Sequence, residues 1–409
     1  MRAALDRIGL AARVAWLAGT MLLLSACATW QTPSDPSDAP LRARAMTQTK
    51  GAVQVSAAIL GAEDSLRMFG TDVTAAGVQP VWIEVRNGSD HFLWLLRTGT
   101  DPDYFSPLEV AWSAHVMMGG DTNERIDEQF DSLAFPNPIP ARGTASGVLF
   151  TNPQPVTKLV NIDLLGNRTM VPFTLLLPVP GDIAAGTEVI HRYRDEEITN
   201  YDDLDALRKA IDALPCCGVT ADGAGGGEPI NVVLIGALDN IAAATSRRGY
   251  RRALEFSGSP PQLFGRLPDL LVRKTAQAGA PAVWIRIWRA PINYRGEIVL
   301  VGQAGRPVGG RFAAGSADDA PLSPDVDEVR NLVIQDFMYS GGLEQLAFAS
   351  GVGAVPAAQP HKMADGGTYY TDGRRAVLFL VTRPLAFSDV KLLDWEPVIA
   401  EQPVDATKE

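Results

Sequence analysis

Cysteine is scarce in this chain, with three in 409 residues, at positions 27, 216 and 217. That excludes the dense disulfide framework on which small secreted domains rely. Histidine is scarce too, with four in the whole chain, at 91, 115, 191 and 361, and their scatter gives no zinc-site spacing. Neither His-Glu-x-x-His nor Gly-x-Ser-x-Gly occurs. A helix-borne metalloprotease site and a nucleophile elbow are therefore unsupported, although a triad assembled in space from distant residues would leave no such string. Basic charge is in deficit: 36 Lys and Arg stand against 47 Asp and Glu, and no basic run interrupts the chain. Phosphate backbones and anionic headgroups repel such a body, so nucleic acid is not an expected partner. The glycine-rich stretch 222–228 lacks the Lys and Ser/Thr of a phosphate-binding loop and precedes a strand, so it reads as a flexible connection. No cofactor is implied.

What the chain does have begins with its leader. Arg2, Arg7 and Arg13 make a positive start, and Val14 to Leu24 is an apolar core that ends in small residues. This core is too short for the roughly 30 Å of hydrocarbon that a spanning helix crosses, so it is a targeting device. Leu24-Ser25-Ala26-Cys27 follows. The string resembles the lipobox of bacterial lipoproteins, in which the leader is cut before a cysteine that then carries acyl chains. The alternative is an ordinary secretory signal cut at Ala26 or Ala28, with Cys27 incidental. The lipoprotein resemblance implies lipidation of Cys27 and, with Ala28 instead of an aspartate after it, the outer membrane facing the periplasm. One acyl chain binds a bilayer marginally and several hold it firmly. Removing residues 1–26 leaves 383 residues with 33 basic and 46 acidic side chains, a net charge of −13 and room for two domains. With 46% hydrophobic residues the chain can bury substantial cores.

Residues 27–48 are rich in Pro, Ser and Asp and read as a flexible tether. From residue 49 to 182 the period is two. Val53, Val55, Ala57 and Ile59 alternate with polar or small residues, as do Val81, Ile83 and Val85, and Asn87-Gly88 offers a reversal into His91 to Leu96. Further strands are expected over 147–151, 158–164 and 170–177. With almost no helical pattern in between, the expectation is an all-β sandwich, with Trp82, Trp94 and Trp112 as core or inter-sheet residues. Pro178 to Thr187 breaks the pattern. Beyond it, Leu204, Leu207, Ile211 and Leu214 share a helical face stopped by Pro215. A strand over 230–235 and a helix from Leu238 to Arg248, closed by Gly249, follow. Alternation at Val283, Ile285 and Ile287 pairs with 297–301. Ser323 reads as the cap of a helix with Pro324 at its first position, running to Tyr339, and Asp372-Gly373 reads as a second hairpin turn. Residues 183–400 are thus expected to form an α+β (mixed α/β) domain, followed by a disordered tail over 401–409.

Within that second domain, Pro229-Ile-Asn-Val-Val-Leu-Ile-Gly236, Phe264-Gly265-Arg266 with Asp269, Arg286-Ile287-Trp288, and Pro324-Asp-Val-Asp-Glu-Val-Arg330 continuing through Gln335-Asp336 to Tyr339 stand in order. Together they span about half of the chain and resemble the LssY-like C-terminal domain family of bacterial envelope proteins, which also occurs joined to membrane modules. In that family, histidines tend to precede the Arg-x-Trp strand and the Pro-Asp-x-Asp helix. Here those places read Ala282-Val283-Trp284 and Ala320-Pro321-Leu322, so any metal or proton-transfer role that they serve is lost.

The candidate ligand or metal cluster is Asp325, Asp327, Glu328 and Arg330, with Arg266, Asp269 and Arg286 nearby if the strands bring them together. Carboxylates so spaced could hold a hard cation, and arginines could clamp a phosphate. The competing explanation is structural: first-turn carboxylates complement the helix dipole, and Asp327 pairs with Arg330 one turn on. Cys216 and Cys217 leave three readings open: a bond to each other with redox potential, simple thiols, or an intermolecular bridge. The expected function is that of a non-catalytic, membrane-anchored envelope lipoprotein that binds a ligand or an envelope protein partner. A hydrolase of lipid or phosphoester substrates, working through Asp325 to Arg330, is the rival, and a component of a secretion or surface assembly is the third reading. Cys27→Ser should abolish lipoprotein processing and release the body from the membrane fraction, as read by cell fractionation and immunoblotting.

Overall fold

The computed structural model describes residues 30, 32–154, 157–181, 190–220, 226–253, 260–274, 283–308, 322–363, 366–382 and 385–397. Cys27, the leader, Ala282, positions 320 and 321, and the tail over 401–409 lie outside the described residues. The chain is a mixed α/β protein with several antiparallel sheets and one large mixed sheet, and it divides into two compact units, Met1–Ala185 and Gly186–Glu409.

In the first unit an antiparallel sheet runs Met46–Lys50, Val53–Ile59, Gln79–Asn87 and Gly143–Thr151. A second consists of Trp94–Leu95, Thr157–Gly166 and Thr169–Pro178. Period-two alternation sends Val55, Ile59, Ile83 and Val85 of the first sheet into one core with Ile162, Leu164, Phe173 and Leu175 of the second. The two sheets therefore share an apolar interior, as in a sandwich.

The expectation of an all-β unit fails on the opposite face of the four-stranded sheet. Here Ala58, Trp82, Val148 and Phe150 pack against helices Ala62–Phe69, Pro107–Trp112 and Gly120–Leu133. Phe69, Phe130 and Phe150 form the centre of this layer, with ring centroids 4.7, 5.4 and 5.8 Å apart. Trp82 is buried among the helices and not between the sheets. Trp94 and Trp112 are 51% and 63% exposed, so they are not core residues. Asn87-Gly88 makes no hairpin either. The Asn87 amide donates to the carbonyls of His91 and Pro140, and the chain crosses to the other sheet.

The tether reading also needs correction from Trp30 onward. The Trp30 indole N–H donates to the Phe69 carbonyl at 2.7 Å, Arg67 donates to the carbonyls of Asp35 and Ser37 at 2.7 and 2.6 Å, and Leu41 is fully buried. Proline and serine keep residues 32–38 from regular structure, Ala39–Arg44 is a short helix with Pro40 in its first turn, and two apolar anchors and one arginine hold the segment in place. Its end, Met46–Lys50, is a sheet strand.

In the second unit, nine strands form one mixed sheet. Its order is Tyr250–Arg252, Leu270–Lys274, Trp284–Tyr294, Glu297–Gly305, Val232–Ile235, Arg375–Leu380, Leu343–Ala349 and Lys391–Leu392, with Thr199–Tyr201 beside the far part of Trp284–Tyr294. Helices Leu238–Arg247 and Val326–Tyr339 cover one face through Ile241, Ala244, Val329, Val333 and Phe337. Helix Leu204–Asp212 covers the other through Leu207 and Ile211. Gly226–Pro229 pairs with Cys217–Val219 as a two-stranded ribbon, so the end of the glycine-rich stretch is ordered backbone.

Asp372-Gly373 does not close a hairpin. Thr368–Tyr369 pairs with His361–Lys362, whereas Arg375–Leu380 joins the large sheet. Phe130→Ala should cost about 3–5 kcal/mol, as large aromatic truncations in cores do, read as a lower urea midpoint at unchanged slope.

Candidate functional site

Asp325, not Ser323, caps the long helix: its carboxylate accepts the amides of Asp327 and Glu328 at 3.2 and 2.9 Å. The start moves because the Pro324 carbonyl is taken by the Tyr370 amide, which sets Asp325 in a β-bridge with Tyr370 just outside the helix. Asp327 accepts the Thr371 hydroxyl at 2.7 Å and the Asp372 amide at 2.6 Å. Arg330, 3% exposed, reaches across with two parallel N–H donors to Asp372 at 2.8 and 3.0 Å, and also to the Arg374 carbonyl at 3.0 Å. Its guanidinium lies over the Phe348 ring, with Asp327 at 3.3 Å. Glu328 pairs with Arg306 at the surface. Asp325, Asp327 and Arg330 thus work as a clamp between the helix start and the 370–374 loop.

Arg266 and Asp269 belong to a different network. Arg266 donates to Asp269 at 2.5 Å and to the Tyr193 hydroxyl at 3.0 Å, and Asp269 accepts the Arg289 amide at 2.6 Å. Burial pulls the Arg266 guanidinium down, but Asp269 and Tyr193 outweigh it and hold it above its ordinary value. Arg286 stands apart again, beside Glu228 at 3.5 Å and Gln303 at 3.4 Å, with its guanidinium over Trp284.

The seven residues do not converge, and strand parity is what sets Arg286 apart from the helix start. Ile285 and Ile287 face the long helix, so Arg286 between them points to the other side of the sheet. There Trp288 donates to the Arg266 carbonyl. Among the described residues no group of three or more His, Cys, Asp and Glu is placed to hold a metal ion.

Cys216 and Cys217 are bonded to each other, with Cα atoms 3.7 Å apart. Cys217 Sγ lies 3.8 Å from the Tyr369 hydroxyl, and the His361 ring is 5.1 Å from that tyrosine.

Sequence reasoning missed several polar residues. Asp336, buried, accepts both of its Lys274 contacts at 2.7 and 2.8 Å and the Tyr250 hydroxyl at 2.9 Å. Burial and this carboxylate push the Tyr250 hydroxyl far above its usual range. Arg375, fully buried, donates to the carbonyls of Ile211, Leu214, Pro215 and Gly351, and burial pulls it down to about 10. It satisfies the end of helix Leu204–Asp212, where a cation also meets the dipole. The only signal in the sequence is a double arginine at the start of an apolar strand. In the first unit, a cleft of about 640 Å³ is lined among the described residues by Met46, Ala57, Ile59, Leu177 and Pro180, with Arg44 and Asp64 at its polar side. This volume lies in the range of small-molecule sites.

No family model matches the sequence, and no curated protein matches it.

The clamp has a pH signature. Burial raises the Asp372 carboxyl, but Arg330 and then Arg374 outweigh it and hold it below its ordinary value. A depressed carboxylate contributes stability that is present above its unfolded pKa and is lost as pH falls through its folded one. Burial leaves Asp327 above its ordinary value, which opposes part of this. Arg330→Met should cost about 1.5–3 kcal/mol at neutral pH, the range for hydrogen bonds to charged groups, and should flatten the contribution of Asp372 to the acid limb of a stability-versus-pH curve.

Proposed function

We propose that the protein is a lipid-anchored envelope lipoprotein that binds a ligand or a protein partner without catalysing a reaction. Leu24-Ser25-Ala26-Cys27 supports the anchor, and Ala28 supports the outer membrane as its location. The observation that carries the binding reading is the way the candidate charges close on one another. Asp325 is spent on helix amides, Asp327 on Thr371 and Asp372, Arg330 on Asp372, and Arg266 on Asp269. Side chains so engaged hold a fold together. The cleft beside Ile59 and Leu177 supplies a mostly apolar recess for a small ligand.

In this reading the chain has two domains, a sandwich next to the anchor and an α+β domain related to the LssY-like family. That kinship is supported by where its motif residues sit. Pro229–Gly236 enters the middle of the large sheet, and Pro324–Arg330 builds the clamp at the start of the long helix.

The rival reading, phosphoester hydrolysis through Asp325 to Arg330, requires those carboxylates to take a metal or a proton. Titration with Mg²⁺, Ca²⁺ and Zn²⁺ by calorimetry should give no saturable heat. Asp325→Ala should lower stability by about 1 kcal/mol, as the loss of an N-cap does, with no turnover of phosphomonoesters or phosphodiesters to lose. Metal-dependent turnover that disappears in Asp325→Ala would reverse the assignment.

A further inference from the structure

The geometry points to a second membrane contact: the corner between helices Pro107–Trp112 and Gly120–Leu133 inserts Trp112, Met117 and Met118 into the bilayer that carries Cys27. This rests on the anchoring reading above and adds to it the side of the body that meets the lipid.

Scattered apolar residues on a surface need no explanation. This corner concentrates them: Leu108 is 49% exposed, Trp112 63%, Met117 94% and Met118 100%. Leu108 and Trp112 lie one helical turn apart and so share a face. The corner is also held in shape. The Asn123 side chain accepts the Val116 amide at 2.9 Å and donates to the Val116 carbonyl at 3.1 Å, a paired bond that closes the loop. His115 Nε2 and Asp127 Oδ1, 2.8 Å apart, brace it from the helix. Met118 has φ +60°, a left-handed conformation that side-chain-bearing residues rarely adopt. Behind it a Cβ on Gly119 would come within 2.4 Å of the Val116 side chain, so the turn is closely packed from within. The fold therefore keeps two methionines pointed at solvent on a braced turn.

The length of chain between anchor and body selects lipid as the occupant. Trp30 is fixed by its bond to the Phe69 carbonyl, and its ring lies 5.9 Å from the Arg125 guanidinium. Arg125 in turn donates to Thr122 Oγ1 at 3.2 Å, in the first turn of the helix that follows the methionines. Cys27 is three residues before Trp30, so an extended chain places it at most about 10–11 Å away. An acylated Cys27 thus draws the bilayer surface toward the start of helix Gly120–Leu133, where the corner projects. Tryptophan suits the headgroup boundary, and methionine fills irregular apolar surroundings. The neighbouring exposed charges are Glu109, Asp121 and Glu124 against Arg125, a negative balance, so anionic headgroups are disfavoured and the surface that fits is zwitterionic phospholipid, held by apolar burial.

The test uses the acylated full-length protein with single cysteines at Met117→Cys, Met118→Cys and, as a control, Met170→Cys, each carrying a polarity-sensitive fluorophore. Met170 is 55% exposed and belongs to the three-stranded sheet, across the four-stranded sheet from the helices. On vesicles of phosphatidylcholine and phosphatidylethanolamine, labels at 117 and 118 should shift to the blue, lose quenching by iodide and gain quenching by brominated acyl chains, with little dependence on salt. The label at 170 should stay aqueous. Because Met117 and Met118 are almost wholly exposed, the substitutions leave the core untouched, which circular dichroism checks.

Labels at 117 and 118 that stay aqueous on protein that remains vesicle-bound would overturn the proposal. So would a shift that grows with protein concentration in the absence of lipid, which marks a second copy, or shielding in native envelope membranes but not in protein-free vesicles, which marks a protein partner. The mass of the peptide beginning at Cys27 is read in the same preparation. An unmodified Cys27 there defeats the anchoring reading, separately from what the labels report.

Discussion

The large sheet of the second unit is covered on both faces, and that constraint decides what every charged residue in it does. Central strands such as Val232–Ile235 and Arg375–Leu380 are buried along their whole length, so a charge carried into these layers must find its partners within the protein. Arg375 and Arg289 do so largely on backbone carbonyls: Arg375 on four of them, and Arg289 on those of Ala290, Ile292 and Val299 together with the Asn293 side chain. Burial brings both down to about 10, which leaves them cationic at neutral pH. Arg330 and Asp336 do so on opposite charges contributed by loops and neighbouring strands. Of these four only Arg330 belonged to the candidate cluster; Arg330, Asp336 and Arg375 join a helix or a strand to a segment far away in the chain, whereas Arg289 ties together its own strand and the next.

The first unit meets a related demand with different means. Its four-stranded sheet has the second sheet on one face and a helical layer on the other, so the alternation of Val53–Ile59 and Gln79–Asn87 is filled on both sides. Aliphatic residues dominate between the sheets, whereas the helical side is built around three phenylalanines and Trp82. The segment from Trp30 to Arg44 completes that helical layer instead of trailing from it. Position 30 is thereby joined to the aromatic cluster, and a composition of prolines, serines and aspartates turns out to be compatible with a single path.

Period-two strands and the strongly amphipathic helices were legible in the sequence because their burial pattern is their signal: Val53–Ile59, Trp284–Tyr294 with Glu297–Gly305, and Leu204–Asp212 all appear where alternation or helical spacing puts them. The helix Gly120–Leu133 was not legible. It carries Ile126 and Phe130 as its two buried residues, a stripe too narrow to stand out among acids and amides. Both hairpin readings failed for a shared reason. The side chains of Asn87 and Asp372 are engaged elsewhere, on loop carbonyls and on Arg330, and turn chemistry alone does not reveal such long-range partners. The candidate site was legible as residue types but not as a place: whether Arg286 faces the same side as Asp327 depends on strand parity relative to a helix forty residues away.

The large sheet begins with the three residues Tyr250–Arg252 and ends with the two residues Lys391–Leu392. A border this brief, with arginine and lysine on it, presents few unpaired backbone groups, and so offers a passing chain almost no template on which to add itself. Such blunt margins guard against strand-by-strand polymerisation through the brevity of the outermost rungs.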